Sequence, residues 1–350
     1  MKFGILTLHE ANSYGAVLQS YALQTALERL GAQAEFVAFT HEKAAAAPQK
    51  SAPPSPLIAR IRQAGEQRNA HFDAFRGQWL HCAEPILWKD KASAAEKYDR
   101  FIAGSDQVWN PRIPEVDERY FLTFAPPAKR YSYAASFGSG DLPENFRGWC
   151  AGQLSDFQGL SVREESGKKL LADLTGRDAT VCLDPTLLLD REEWSKLTGE
   201  IDGERYALLF MLKYDPQLYE RAQGEAQKQG LELRVVSAEF IPKLGFDAWS
   251  GVGVEKWLSL IKGAECVFTN SFHGAVFTLI FERPLAVSRL TGELSSRNGR
   301  IEELLKNMGM EAAFESLAPA LPREAFEAKL AEKRTLSLNY LKEIATDATV

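Results

Sequence analysis

The stretch AECVFTNSFHGAVFTLIFERP (264–284) constrains the fold more than any other part of the chain. Cys266, Val267 and Phe268 form a short apolar run, the pattern of a buried strand. Asn270 and Ser271 follow, residue types whose side-chain oxygens accept the free N–H groups of a first helical turn. Residues 275–281 are apolar on every face and Pro284 stops the run. The expected structure is strand, tight turn and buried helix. His273 and Gly274 stand at the mouth of that helix, where unpaired N–H groups and the helix dipole favour anions. A histidine at this point could simply cap or pack. Its place at the carboxyl end of a strand, where open α/β sheets bind ligands, makes it a candidate for function.

The same grammar recurs along the chain. An apolar strand at residues 3–8 leads through a polar loop to Gly15 and a helix ending at Gly31. Further strands are expected at 35–39, 98–103, 130–137, 159–162, 180–183, 206–212, 231–236 and 285–287. Each run from 98–103 to 180–183 breaks at a polar or glycine-rich turn: Gly104-Ser105-Asp106, Gly138, Arg163 and Asp184-Pro185-Thr186. Helices are expected at 57–79, 216–229 and 300–308, with one long or two short amphipathic helices at 326–344. The Ala/Pro/Ser-rich residues 43–56 read as a mobile loop. Strands alternating with helices in this way indicate parallel, doubly wound sheets.

At 350 residues the chain exceeds a typical single core, so two domains are expected. They are 1–195, an acceptor-side Rossmann-like domain, and 196–320, a second on the donor side, followed by a helical segment 321–350. Charge density rises and apolar periodicity stops at residues 191–204, where a hinge would let the halves close over a ligand. The net charge of −6 argues against a nucleic-acid partner. It leaves open a small anionic substrate, which needs only a few placed arginines. Four widely spaced cysteines without a CxxC pair read as reduced thiols in a cytoplasmic protein. The opening apolar run is too short for a signal peptide, and no segment is long enough to span a bilayer. At most peripheral membrane association is expected. Nothing in the sequence sets an oligomeric state.

No phosphate-binding P-loop, GxGxxG, HExxH, GxSxG or cysteine-rich metal cluster is present. The candidate site is therefore the set of strand-end turns: Asn12-Ser13-Tyr14-Gly15, Ser105-Asp106, Arg163, and Asn270-Ser271 with His273.

These residues lie in segments that resemble the polysaccharide pyruvyl transferase family: NSYGAVLQSYALQ (12–24), FIAGSDQVWNP (101–111), RYSYAASFG (130–138), SVREESG (161–167), LDPTLLL (183–189) and TNSFHGAVFTLIFERP (269–284). The resemblance covers most of the chain. GSDQVWNP and SFHG are long enough to be specific. It implies an α/β fold of the GT-B type, with two Rossmann-like domains facing across a cleft and helices on both faces of parallel sheets. It implies transfer of the enolpyruvyl unit of phosphoenolpyruvate to sugar hydroxyls, giving a pyruvate ketal and phosphate. Matched by position, His273 is the family's motif histidine and Arg163 its Val-Arg arginine, both implied at the phosphoenolpyruvate site. Many members carry an arginine two residues before that histidine, where this chain has Ser271. Lys213, Arg297 and Arg300 are then candidates, beside Arg163, for the missing cation.

The chemistry suits these residue types. Ketal formation protonates the methylene carbon of an enol phosphate, and a sugar hydroxyl captures the cation that develops beside it. Histidine is the side chain whose pKa lies nearest neutrality. Arginine offers bidentate contacts to phosphate or carboxylate. Asp106 would either orient His273 or deprotonate the hydroxyl. No step requires a metal or an organic cofactor. Two other functions fit the same pattern: a glycosyltransferase using a nucleotide sugar, and an inactive binding protein of the same fold.

Overall fold

The computed structural model describes residues 1–40, 55–200 and 203–346. The loop expected at 43–56 therefore lies almost wholly outside the described residues. Two parallel four-stranded sheets organise the rest. In the first, Gln33–Phe36, Lys2–Leu6, Arg100–Ala103 and Arg130–Ser132 lie side by side in that order. Single bridges from Tyr131 to Gly159 and from Ala135 to Val162 continue it into the parallel pair Ser161–Val162 and Thr180–Val181. In the second, the order is Glu232–Ser237, Tyr206–Met211, Cys266–Thr269 and Leu285–Val287. Both are Rossmann-like units.

Strand alternation sends side chains to both faces of each sheet. Phe101 and Ala103 enter one core while Ile102 enters another, and Leu208 and Phe210 part company with Ala207, Leu209 and Met211 in the same way. Buried faces on both sides are what the near-continuous apolar runs require. The strand expected at 130–137 is shorter than its apolar pattern suggested. It stops after Ser132 because Ala134 turns to φ 48° and gives its N–H to Ser161 Oγ.

One apolar core is common to both sheets. It contains Phe3, Ile5 and Ile102 from the first together with Leu208, Phe210 and Val267 from the second. Helix Tyr14–Arg29 and helix Phe272–Ile280 meet in this seam. Tyr14 stacks on Trp257 at 4.9 Å and 5°, and Phe277 lies edge-on to both Trp257 and Trp194. The long helix Pro56–Trp79 follows the first two strands in sequence but leans on the second sheet's side, where Trp79 Nε1 donates to Glu255. The last helix, Arg323–Thr346, is a single element that returns to the first sheet. Its Tyr340 Oη donates to Ser132 O, and Arg100 Nη1 donates to Ile344 O.

This seam bears on the expected hinge at 191–204. Aromatic side chains packed at crystal-like density slide poorly, so a large closure would expose the shared core. Small-angle scattering with saturating phosphoenolpyruvate is expected to match the ligand-free profile. A clear compaction would mean that the seam opens.

Candidate active site between the two sheets

The carboxyl ends of both sets of strands point at one cavity of about 140 Å³. Asn12, Ser13, Tyr14 and Gly15 line it from the turn after the first strand, and Asp106 and Gln107 from the turn after Arg100–Ala103. Ser271, Phe272 and His273 come from the second sheet, Arg297 and Arg300 from the following loop and helix, and Arg68 from the long helix.

His273 is positioned by the local sequence as expected. Ser271 is the N-cap residue and its Oγ accepts from Gly274 N at 3.2 Å. Gly274 is needed for packing, since a Cβ there would meet Thr269 Oγ1 at 2.5 Å. His273 as a whole is only 8% exposed. Its Nε2 has no hydrogen-bond partner among the described residues and lies 3.5 Å from Asp184 Oδ2. Nδ1 lies on the side of Gly15. A Cβ on Gly15 would stand 2.6 Å from Cε1 and closer still to Nδ1. Gly15 is thus the space into which the catalytic candidate fits. Gly15→Ala is expected to push the ring out of place and cut turnover at least tenfold while the protein stays folded. Activity near that of the parent protein would show that ring position is unimportant.

Asp184 is the hub of the buried charges. Its Oδ2 accepts from Arg163 Nη1 at 2.6 Å and from Ser105 Oγ at 3.3 Å. Its Oδ1 accepts from Thr186 N at 3.0 Å and Thr186 Oγ1 at 2.6 Å. Burial alone would raise its pKa, but His273, then Arg163 and Thr186, outweigh burial and hold it well below the carboxylate range. The DPT segment had read as a turn within a segment that resembles the family, with no candidate residue in it. Its cap geometry is real, and the same carboxylate reaches the site.

Arg163 is buried and densely paired. Nε donates to Glu164 Oε1 at 2.8 Å, and Nη2 lies 3.8 Å from Asp106 Oδ1. Burial would lower its pKa, but Glu164, Asp184 and Asp106 together raise it. Glu164 and Asp184 hydrogen-bond this guanidinium, while its buried Nη2 has no hydrogen-bond partner among the described residues. Arg300 makes no such close ion pair. Its Nε is buried without a hydrogen-bond partner among the described residues, and its nearest carboxylate, Asp106, is 3.9 Å away. Burial, with Arg163 beside it, pushes Arg300 down to about 10, so it remains a cation at neutral pH. Burial also lowers Arg297.

Asp106 holds φ 71°, a left-handed conformation that non-glycine residues adopt rarely, though aspartate tolerates it better than most. The strain turns its carboxylate toward both arginines.

Several other candidates have different work. Tyr14 borders the cavity, but its Oη donates to Val252 O. Asn270 is consumed as a clamp, accepting from Leu212 N and donating to Lys213 O. Lys213 lies outside the lining, and its exposed side chain pairs with Glu239 at 2.9 Å. Ser105 is buried behind the lining, beneath Asp184. Asn12 sits at the rim, accepting from Arg76 Nη2 and donating to Asn69 Oδ1. Glu164, Asp184 and Arg68 were not among the candidates, although the first two lie in segments that resemble the family.

Among the described residues no group of three or more His, Cys, Asp or Glu side chains is placed to hold a metal ion. Nor is any described helix long and apolar enough to cross a membrane.

Several solved structures align with most of the chain. Glycosyltransferase SsfS6 from Streptomyces sp. SF2575, complexed with thymidine diphosphate, aligns with a TM-score of 0.41 at 13% identity, over 99% of this chain and 96% of its own. UDP-GlcNAc 2-epimerase from Neisseria meningitidis, bound to UDP-GlcNAc, aligns at 0.47 and 10%, over 97% and 100%. E. coli ADP-heptose LPS heptosyltransferase II aligns at 0.37 and 12%, over 97% and 99%. No curated protein sequence matches the chain. The sequence model of polysaccharide pyruvyl transferases, however, matches residues 14–287. That span carries Gly15, Asp106, Arg163, Asp184 and His273 in one continuous match, and the chain therefore belongs to the polysaccharide pyruvyl transferase family of transferases.

Proposed function

We propose that the protein moves the enolpyruvyl unit of phosphoenolpyruvate onto hydroxyls of a glycan or lipid-linked sugar precursor. The products are a pyruvate ketal and inorganic phosphate. The observation that carries this reading is the cavity itself, small, arginine-lined and bordered by a carboxylate-backed histidine.

Asp184 Oδ2, 3.5 Å from Nε2 of His273, backs the ring from behind the cavity. His273 gives a proton to the methylene carbon of the donor. The carbon bearing phosphate becomes cationic and is captured by one acceptor hydroxyl. Phosphate leaves with its bonding electrons, and a second hydroxyl closes the ketal. Of the two hydroxyl protons, one restores His273 and one leaves on phosphate, so atoms and charge balance. Asp106, at the same cavity, accepts a hydroxyl proton in passing. Arg297 and Arg300 offset the charge of the departing phosphate. The steps call for no metal or organic cofactor. Four free cysteines, three of them buried, suit a cytoplasmic site for the reaction.

The cavity size favours this donor over a nucleotide sugar. Pockets for drug-sized ligands run to roughly 300–1,000 Å³, against about 140 Å³ here. The buried charges also argue against an inert scaffold, since such groups are costly when they serve only packing. Incubation with phosphoenolpyruvate and a panel of sugar acceptors tests the proposal. Acceptor-dependent phosphate release is expected. Release of nucleoside diphosphate from a sugar nucleotide, with phosphoenolpyruvate untouched, would replace it with glycosyl transfer.

A further inference from the structure

Arg68 lies midway along helix Pro56–Trp79, in a stretch with no recognisable motif. Its side chain nonetheless reaches the cavity and is only 5% exposed. Nη1 donates to Trp249 O at 2.8 Å and Nη2 to Asn12 O at 3.1 Å. The guanidinium stands 4.9 Å from the ring centre of Phe72 and 5.4 Å from that of Tyr14. Carbonyls and aromatic faces position the group without neutralising it. Among the described residues no carboxylate forms an ion pair with Arg68, whereas Arg163 has three carboxylates and Arg130 has Asp156 at 3.3 Å. A buried cation with no counter-charge is a poor choice for packing. Its missing partner is an anion in the cavity.

We propose that Arg68 is the specificity residue for the donor's carboxylate, while Arg297 and Arg300 hold the phosphate. This rests on the reading of the cavity as the phosphoenolpyruvate site. Two guanidiniums beside the start of helix Asn298–Met308 suit the doubly charged phosphate. The single planar fork of Arg68 suits a singly charged planar carboxylate. The carbon between the two anions is then presented to His273. Arg68 also supplies, from an unrelated helix, part of the positive charge absent at Ser271.

Calorimetric titration with phosphoenolpyruvate, pyruvate and inorganic phosphate tests the assignment, alongside melts of the unliganded variants. Arg68→Gln is expected to weaken phosphoenolpyruvate and pyruvate about 10- to 100-fold. It should leave phosphate within about threefold, as expected of separate contacts. Arg300→Gln should instead weaken phosphoenolpyruvate and phosphate and leave pyruvate within about threefold. If Arg68→Gln fails to fold, Arg68→Lys keeps the charge without the fork, and a selective loss for the two carboxylates is again expected. Equal weakening of phosphate and pyruvate, or unchanged binding of phosphoenolpyruvate, would overturn the assignment and leave Arg68 as a strut between the sheets. Parent protein that binds phosphate but no phosphoenolpyruvate would overturn the donor reading itself, and this assignment with it.

Discussion

His273→Gln is expected to lower kcat by about 100-fold or more, the usual worth of a positioned acid. Binding of phosphoenolpyruvate should stay within a few-fold. Glutamine keeps a hydrogen-bonding side chain of similar reach but cannot titrate. The variant should fold, because Ser271, and not the imidazole, caps the helix. Nε2 has no hydrogen bond to lose, and Asp184 keeps its bonds to Arg163 and Thr186. A melting curve close to the parent's, together with lost turnover, is the expected pair of results. Full turnover in the folded variant would make His273 a packing residue.

Asp184→Asn is expected to damage both stability and turnover. The carboxylate is fully buried and offsets the charge of Arg163. Removing one partner of a buried ion pair typically costs about 3–5 kcal/mol. For a chain of this size that lowers the melting midpoint by roughly 4–7 °C. The pH dependence has a definite sign. Asp184 has a depressed pKa in the folded state, so its contribution is present above the unfolded carboxylate value of about 3.9 and is lost as pH falls toward the folded value. The gap between parent and variant should be constant from pH 5 to 8, to a good approximation, and narrow only under more acid conditions. A gap that instead closes well above the carboxylate range would mean that a group other than Asp184 sets it.

Much of the fold is legible because it is written locally. Ser271 caps its helix, Gly31, Gly230 and Gly309 all take positive φ at helix ends, and Leu285–Val287 pairs where its apolar run lies. The turns after the strands converge because parallel sheets place their carboxyl ends on one edge. What local pattern could not carry is the electrostatics of the site. Asp184 satisfies a turn on its own account, so nothing near it marks the approach of His273 from the other sheet. Arg68 sits on an ordinary charged helix, and its lack of a counter-ion is a property of the assembled core. Gly15 was a candidate only as part of the turn after the first strand, where it leaves room beside the backbone. Only the fold shows that the room belongs to an imidazole. Lys213 erred the other way, a cation near the right strand end but outside the cavity lining.

The central claim is that His273, at the cavity between the sheets, protonates the methylene carbon of phosphoenolpyruvate on the way to a ketal. Turnover in D2O with a competent sugar acceptor tests it most directly, reading the product by NMR. One deuterium in the ketal methyl group, formed in step with phosphate release and nearly abolished by His273→Gln, is the predicted result. A product that keeps its methylene double bond, or labelled ketal formed as fast by His273→Gln as by the parent protein, would contradict it.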